Sequence, residues 1–227
     1  RWGYFTKGIE ENSAEIIVAD GNFHGRTTTI VGFSSETSYK KGFGPFADGF
    51  VQADYCNTNC DCSKICEKSI QSIKKAINHN TCAVLVEPIQ GEGGIITPQD
   101  GWLTQLRDLC DENNVLLILD EIQSGLGRTG KMFAYEHEGI KPDGLILGKA
   151  LGGGLLPVSA FLSSKEVMDH FNPGSHGSTF GGNPLAAKVA SKALDLLMED
   201  NLVENSQIMP RSAVAVSRRY GRTCFRG

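Results

Sequence analysis

The 227-residue sequence lacks a strong excess of charge, because 22 Lys and Arg residues face 26 Asp and Glu residues for a formal net charge of −4. Without an overall positive field, neither nucleic acid nor an anionic membrane surface is the expected partner. The sequence also lacks any apolar run that approaches the ~18–20 residues of a membrane span. Its 40% hydrophobic residues are ordinary for a globular chain that can bury a core without disulfides or metals.

The two ends of the chain lead us to expect a piece of a longer protein. The sequence starts at Arg1 without an initiator Met, a signal peptide or a transit-like segment. Residues 211–227 contain five arginines and no acidic residue, and they show little apolar periodicity. We therefore expect a fragment whose basic tail is an unpacked or foreign extension, with phosphate binding by the tail as the alternative.

The seven cysteines are an odd number, and four of them cluster as Cys56, Cys60, Cys62 and Cys66. Their spacing differs from the two C-x2-4-C pairs that zinc sites favour, so we expect no metal there, with metal binding as the alternative. A reducing compartment fits this usage best. Cys82 and Cys110 lie in apolar segments and are expected to be small core residues.

Short apolar runs alternate with helical patterns along the chain. Such alternation predicts an α/β fold with a mostly parallel sheet, helices on both faces and a ligand site beyond the carboxyl ends of the strands. The predicted strands are Glu15–Val18, Cys82–Val86, Val115–Leu119, Gly144–Leu147 and Val158–Leu162. The predicted helices lie around Ile65–Ile77, around Trp102–Cys110 and after the Asn183-Pro184 cap, where Leu185, Val189, Leu194 and Leu197 should be buried.

Glycine is abundant, with 27 residues, and the run Gly125–Lys131 reads G-L-G-R-T-G-K. This run fits the dinucleotide fingerprint and nearly fits the phosphate loop of nucleotide hydrolases. However, Met132 stands where a phosphate loop needs a hydroxyl, and five residues separate the run from the preceding strand. Nucleotide binding is therefore the weaker interpretation.

A carboxylate and a lysine follow two of the predicted strands. Asp120 ends one strand, and Lys149 comes just past another, among the glycines of L-G-K-A-L-G-G-G. Two strand ends that bring these groups to one edge of a sheet are typical of a catalytic site. For an isolated pair, a surface salt bridge would be the better interpretation.

Six segments in order strengthen the catalytic interpretation, and together they resemble the class III (ornithine-type) aminotransferases, which belong to the fold-type-I pyridoxal-phosphate enzymes. The resemblance runs from Arg1 to about Ser206. It implies a partial cofactor-binding large domain over residues 1–206, truncated at both ends, and a non-matching basic tail over 207–227. The segments are Asn22–Thr27, Gly42–Phe46, Glu87–Gly94, Leu119–Gly130, Leu147–Gly154 and Gly174–Pro184.

The resemblance implies pyridoxal 5'-phosphate as cofactor and assigns residues around its ring. Lys149 would form the Schiff base and move a proton, and Asp120 would keep the pyridine nitrogen protonated. Gln123 matches the contact to the ring 3-hydroxyl, and Phe23 matches the residue that stacks on the ring. Without the resemblance, core packing would be the better interpretation of Phe23.

Further residues match the substrate and phosphate contacts of the family. Arg26 matches the arginine that binds a substrate carboxylate, and Glu92 matches a gate residue that pairs with an arginine. Ser178 and Thr179 match residues that reach the cofactor phosphate of a neighbouring subunit, which implies a homodimer with shared sites. His24 and His176 are interpreted as positional hydrogen-bonding residues.

Within the family, the segments are most similar to the ornithine δ-aminotransferase group, which implies transfer of the δ-amino group of ornithine to 2-oxoglutarate, giving glutamate semialdehyde and glutamate. Acetylornithine as amine donor and a non-catalytic fragment are the alternatives. The family's glycine-rich phosphate-binding turn and its downstream small domain have no counterpart here, so we expect the chain alone to be weakly active or inactive. The family occurs in the mitochondrial matrix and in the cytoplasm, and either is open.

Overall fold

A computed structural model of the chain describes residues 1–56 and 63–208. Within these residues the chain forms a sheet of six strands in the order β2-β1-β3-β4-β5-β6. Strands β1 to β5 are parallel, and β6 pairs antiparallel with β5. The strands are β1 Glu15–Ala19, β2 Phe50–Ala53, β3 Thr81–Val86, β4 Leu116–Asp120, β5 Gly144–Leu147 and β6 Ala160–Ser163.

Helices of very different length connect the strands. The long ones are α4 Ser63–Ala76, α5 Trp102–Glu112 and α7 Pro184–Glu199. The short ones are α1 Trp2–Phe5, α2 Thr28–Gly32, α3 Thr37–Lys40 and α6 Lys165–Met168, and 3-10 turns cover Ala134–His137 and Lys149–Gly152. The parallel strands with helical crossovers confirm the predicted α/β class.

The main core lies between one face of the sheet and helices α4 and α5. Ile17, Val84 and Leu117 of the sheet are fully buried there, together with Trp102 and Leu106 of α5. On the opposite face a smaller cluster buries Val18 and Leu85 beneath Phe33, with Ile30 of α2 packed against it. Because both faces are covered, the central strands are apolar on both sides, as their unbroken hydrophobic runs predicted.

The structure differs from the sequence prediction at three elements. Strand β2 was not predicted, because Phe50–Ala53 is a four-residue edge strand without a long apolar run. Strand β6 begins two residues later than predicted and is antiparallel.

The third difference is the burial of helix α7. Its start and its cap are confirmed, since the Asn183 side chain accepts a hydrogen bond from the Ala186 N–H at 2.9 Å. The predicted burial is wrong for two of its leucines, because Leu185 is 66% exposed and Leu194 is 37% exposed. Val189 and Leu197 are partly buried, and Leu197 packs against the main core. Within residues 1–56 and 63–208 nothing covers the outer side of this helix, so a regular apolar pattern there did not lead to burial.

The cysteine cluster is only partly within the described residues. Cys56 and Cys66 form a disulfide, a pairing that the odd cysteine count and the expected reducing compartment did not predict. Cys60 and Cys62 lie outside the described residues, as does the chain from 209 onward, so the boundary at residue 206 stays a prediction. Cys110 is buried and Cys82 is half-buried, both as free thiols. None of the helices described is both long and apolar enough to cross a bilayer.

Candidate active site

Polar side chains gather where the parallel strands end. His24 lies in the loop after β1, Glu87 directly follows β3, Asp120 is the last residue of β4, and Lys149 comes just after β5. Since the carboxyl ends of parallel strands meet at one edge of a sheet, these four residues lie on the side where open α/β sheets bind ligands.

The strand register places the two carboxylates next to each other. Val86 of β3 pairs with Leu119 of β4, so Glu87 and Asp120 are the next residues on adjacent strands. Asp120 pairs in turn with Ile146 of β5. The strand that leads to the lysine is therefore the direct neighbour of the strand that ends in Asp120.

Asp120 is 5% exposed and is held by two hydrogen bonds. The Ile122 N–H donates to its Oδ1 at 3.0 Å, and His24 Nδ1 donates to its Oδ2 at 2.7 Å. An ionised carboxylate offers about four acceptor positions, so two remain for another donor. The other ring nitrogen of His24, Nε2, is buried and has no hydrogen-bond partner among the described residues. His24 is therefore a positional hydrogen-bonding residue in this structure, as the sequence suggested.

Glu87 is a second buried carboxylate, and the sequence analysis did not single it out. It is 3% exposed, and its Oε1 accepts a hydrogen bond from the Phe23 N–H at 2.9 Å. Burial raises the pKa of Glu87 above its ordinary value, while the Phe23 N–H and nearby His24 lower this pKa and nearby Asp120 raises it. The signal that could have found it is its position, because it directly follows a buried strand just as Asp120 ends one.

Lys149 has a backbone conformation that is uncommon for a residue with a side chain. Its φ is +41°, in the left-handed region. Such conformations persist only where the surrounding structure holds them, and they concentrate at functional sites. Lys149 is exposed and lies between two cavities. The first cavity has a volume of about 480 Å³ and is lined by Lys149 and Gln123, among others. The second has a volume of about 750 Å³ and is lined by Lys149 and Ser178, among others.

The Gln123 amide packs closely against a glycine in another loop. A Cβ atom added to Gly91 would lie 2.7 Å from the Gln123 Oε1 and 2.8 Å from its Nε2. A side chain at position 91 would therefore displace the Gln123 amide from its present place. This contact joins the loop after β3 to the turn after β4.

Phe23 and Arg26 form an aromatic cluster with Tyr39. The rings of Phe23 and Tyr39 meet edge to face with centroids 5.8 Å apart, and the Arg26 guanidinium lies 4.0 Å from the Tyr39 ring centre. Stacking uses the face of the guanidinium and leaves its N–H edges available. Arg26 and Glu92 are both exposed, and among the described residues neither forms an ion pair.

Ser178 and Thr179 lie in an exposed loop before α7. The Ser178 Oγ accepts a hydrogen bond from the Gly181 N–H at 3.1 Å, and no hydrogen bond of Thr179 is found in the described part of the chain. His176 in the same loop meets the Phe171 ring edge to face at 5.5 Å. The loop contributes Ser178, Phe180 and Gly181 to the larger cavity beside Lys149.

The glycine-rich run that resembled a nucleotide loop packs against protein. A Cβ atom at Gly127, where φ is +87°, would lie 3.2 Å from Val203 and 3.3 Å from Leu197. The glycine is thus needed for close packing against the end of α7 and the segment that follows it. This contact explains the pattern without a nucleotide.

The structure brings some of the predicted site residues together and leaves others apart. Lys149 shares one cavity with Gln123 and another with Ser178, and Asp120 lies on the adjacent strand end. Phe23 and Arg26 form a separate cluster with Tyr39, and Glu92 and Thr179 are exposed. The arrangement offers a free amine, a buried carboxylate, an aromatic ring and a guanidinium on one side of the sheet.

Comparison with known proteins agrees with this arrangement. The family model described as "Aminotransferase class-III" matches residues 1–215. An ornithine aminotransferase of Staphylococcus aureus strain Mu50, named ornithine aminotransferase 2, is 55% identical over 202 residues, which is 89% of this chain and 48% of the relative. The chain therefore spans about half the length of the curated relatives it matches.

Solved structures show the same similarity. A structure of the ornithine aminotransferase from Toxoplasma gondii, described with partial occupancy of PLP at its active site, superposes with a TM-score of 0.87 at 41% identity, over 96% of this chain and 49% of that one. The acetylornithine aminotransferase from Elizabethkingia anophelis superposes with a TM-score of 0.71 at 48% identity, over 89% of this chain and 47% of that one.

Proposed function

We propose a function for this chain from one premise: it belongs to the class-III aminotransferase family. In our proposal it forms the cofactor-binding part of an enzyme that transfers the δ-amino group of ornithine to 2-oxoglutarate, giving glutamate semialdehyde and glutamate. The observation that carries the proposal is the placement of Lys149, strained at φ +41° and open to two cavities, on the strand next to the one that ends in buried Asp120.

The residues present fit pyridoxal 5'-phosphate. Asp120 keeps acceptor positions for a ring N–H, the Lys149 amine is exposed to a cavity, and Gln123 can donate to a ring oxygen from the same cavity. When bound, this cofactor supplies an electron sink for the charge that develops at the substrate carbon.

The protein groups would then hold the ring and move a proton. The Asp120 carboxylate would accept the N–H of a bound pyridine ring, in a charge-assisted hydrogen bond of about 1.5–3 kcal/mol. His24 holds the orientation of this carboxylate from the other side, which is supported by its 2.7 Å hydrogen bond. Lys149 would carry the proton to and from the substrate carbon, and Phe23 would pack against the bound ring.

Arg26 is our candidate for the substrate carboxylate, since Tyr39 supports its guanidinium from one face and leaves its edges free. Glu92 would act at the entrance by pairing with an arginine. Ornithine is favoured as the amine donor by the 55% identity to an ornithine aminotransferase. Acetylornithine is the second candidate, because an acetylornithine aminotransferase is 48% identical over 89% of this chain.

We also propose that the enzyme is a homodimer with shared sites, in which Ser178 and Thr179 bind the cofactor phosphate of the neighbouring subunit. The exposed apolar residues around the cavity beside Lys149 support this, since Leu155 and Phe180 are each 82% exposed. Large apolar side chains that gather on a surface mark an interface. The mitochondrial matrix and the cytoplasm are the proposed compartments.

The test is turnover by the natural protein that carries this sequence, with 2-oxoglutarate as acceptor and ornithine or acetylornithine as donor. We expect glutamate formation and an aldehyde product from ornithine, and none from a Lys149→Ala variant. Turnover of acetylornithine alone would replace the substrate assignment by the second candidate. Unchanged turnover in the Lys149→Ala variant would overturn the proposed function itself.

A further inference from the structure

We infer that Glu87 is a positioning residue of the candidate site, because its one buried carboxylate holds the backbone of two loops, one that carries Phe23 and one against which the Gln123 amide packs. The inference rests on the proposed function, since the roles of Phe23 and Gln123 come from it. Glu87 itself touches neither the proposed cofactor nor the substrate in this account. It acts through the backbone N–H groups of Phe23 and Gly91, which its carboxylate accepts.

The first loop follows β1 and carries Phe23. Oε1 of Glu87 accepts the Phe23 N–H at 2.9 Å across 64 residues of sequence. The carboxylate therefore fixes the backbone of the residue whose ring is proposed to pack on the cofactor. The next residue, His24, donates to Asp120, so the same short segment is tied to both carboxylates.

The second loop follows β3 and carries Gly91. Oε2 of Glu87 accepts the Gly91 N–H at 3.4 Å, a longer contact than the first. The Gly91 backbone is the surface on which the Gln123 amide rests. Through this glycine, the carboxylate influences the position from which the Gln123 amide can reach a ring oxygen.

The chemistry of this position favours glutamate over its closest replacements. A carboxylate presents two acceptor oxygens to two N–H donors, whereas a glutamine would turn its NH2 group toward one of them. An aspartate keeps the charge but is one methylene shorter and reaches only one of the two donors. The hydroxyl of Tyr55 also donates to the Glu87 carbonyl at 2.9 Å, so the Glu87 backbone is itself fixed.

A matched control exists elsewhere in the chain. Glu138 also accepts two backbone N–H groups at nearly the same distances, from Thr104 at 2.8 Å and from Leu103 at 3.4 Å. It holds the start of helix α5 and lines a different cavity from Lys149. Glu87→Gln and Glu138→Gln therefore make the same chemical change, one at the candidate site and one away from it.

The first measurement needs no cofactor. Hydrogen–deuterium exchange of the protein without added cofactor should show at least about tenfold faster exchange at the Phe23 and Gly91 amides in Glu87→Gln, since a charged acceptor is lost. In Glu138→Gln these amides should exchange as in the wild type. Unchanged exchange at both amides in Glu87→Gln would overturn the inference, whether or not the protein proves to be an aminotransferase.

The second measurement is a titration with pyridoxal 5'-phosphate, followed by circular dichroism in the cofactor absorption band at saturation. We expect a dissociation constant raised about tenfold or more in Glu87→Gln, and an altered band that reports a changed ring orientation. A general loss of stability would leave that band unchanged at saturation. An unchanged band in Glu87→Gln, or the same change in Glu138→Gln, would contradict a positioning role.

Glu87→Asp keeps the inference testable should the glutamine variant not fold. With its charge kept and its reach shortened, only one of the two amides should stay protected, and the dissociation constant should lie between those of the wild type and Glu87→Gln. Wild-type protection at both amides would overturn the inference. Failure of the wild type to bind the cofactor would instead refute the proposed function, while the exchange data would still decide the role of Glu87.

Discussion

Two regions near the strand end that carries Lys149 differ in how many of their packing and hydrogen-bond contacts this chain itself supplies. The strand-end wall, formed by Phe23, His24, Glu87 and Asp120, is held by hydrogen bonds within the chain, and both of its carboxylates are buried. The outer segment, residues 171–199, comprises the loop with Ser178 and Thr179 and helix α7. It leaves Phe180 82% exposed and Leu185 66% exposed.

This difference shows which part of the proposed site one chain can fix alone. Strand register and buried hydrogen bonds within this chain fix the geometry of the wall, so no second chain is needed to hold it. The outer segment has the apolar pattern of a packed region, but only its inner side, with Ala186 and Leu197, makes core contacts in the described residues. We assign the missing cover of its outer side to a second copy of the chain.

The largest contrast is between two leucine truncations. Leu106→Ala removes a fully buried side chain from α5 and should lower the free energy of unfolding by about 2–5 kcal/mol. Leu185→Ala, on the outer segment, should change it by less than about 0.5 kcal/mol in the monomer. Chemical denaturation at low protein concentration measures both. A large loss for Leu185→Ala in the monomer would mean that α7 is covered by this chain after all.

Asp120→Asn tests the wall as catalytic machinery. We expect turnover by the natural protein to fall about 10²–10³-fold, roughly 2.7–4 kcal/mol, because the charge opposite the ring nitrogen is lost while the shape is kept. Asp169→Asn, which removes an exposed carboxylate paired with Lys165, is the control and should retain its turnover. Equal turnover in the Asp120→Asn variant would remove this residue from the mechanism.

Phe180→Asp tests the outer segment as an interface. Burying a phenylalanine contributes roughly 1.5–3 kcal/mol, so the dissociation constant of the dimer should rise at least about tenfold. Sedimentation over a range of protein concentrations measures it. Phe43→Asp, at a phenylalanine that is 67% exposed outside this segment, should leave association unchanged. A wild-type protein that is monomeric at all concentrations would contradict the shared site.

The smallest effect concerns the pH dependence of stability. Burial raises the pKa of Glu87, so the folded state binds this proton more tightly than the unfolded chain does. Its contribution to stability is therefore greatest below the pKa of the unfolded chain, about 4.3, and is lost as the pH rises through the folded pKa. The difference in unfolding free energy between the wild type and Glu87→Gln should fall over this interval. A difference that rises with pH would show that the carboxylate is stabilised as an anion.

Much of the fold could be predicted, because buried parallel strands have short, unbroken apolar sequences. Strands β1, β3, β4 and β5 all follow that rule, and each carries a candidate residue at or just after its end. The edge strand β2 and the direction of β6 could not be predicted, since neither has a distinctive pattern. The exposure of Leu185 depends on what covers α7, and periodicity within the helix does not contain that information.

The candidate site could be proposed from sequence only in part. Asp120 and Lys149 were predicted from strand ends, and His24 was expected to position its neighbours by hydrogen bonding. Glu87 and Gly91 were not identified as individual site residues, because their roles consist of contacts to backbone and side chains far away in sequence. Such contacts become visible only when the loops are placed in space.

The most direct test of the central claim is covalent labelling at Lys149. The natural protein is incubated with pyridoxal 5'-phosphate, reduced with borohydride and digested, and the modified lysine is identified by peptide mass. Our account predicts that the label lies on the peptide that contains Lys149 and is lost in Lys149→Ala. Label found on other lysines, with the Lys149 peptide unmodified, would contradict it.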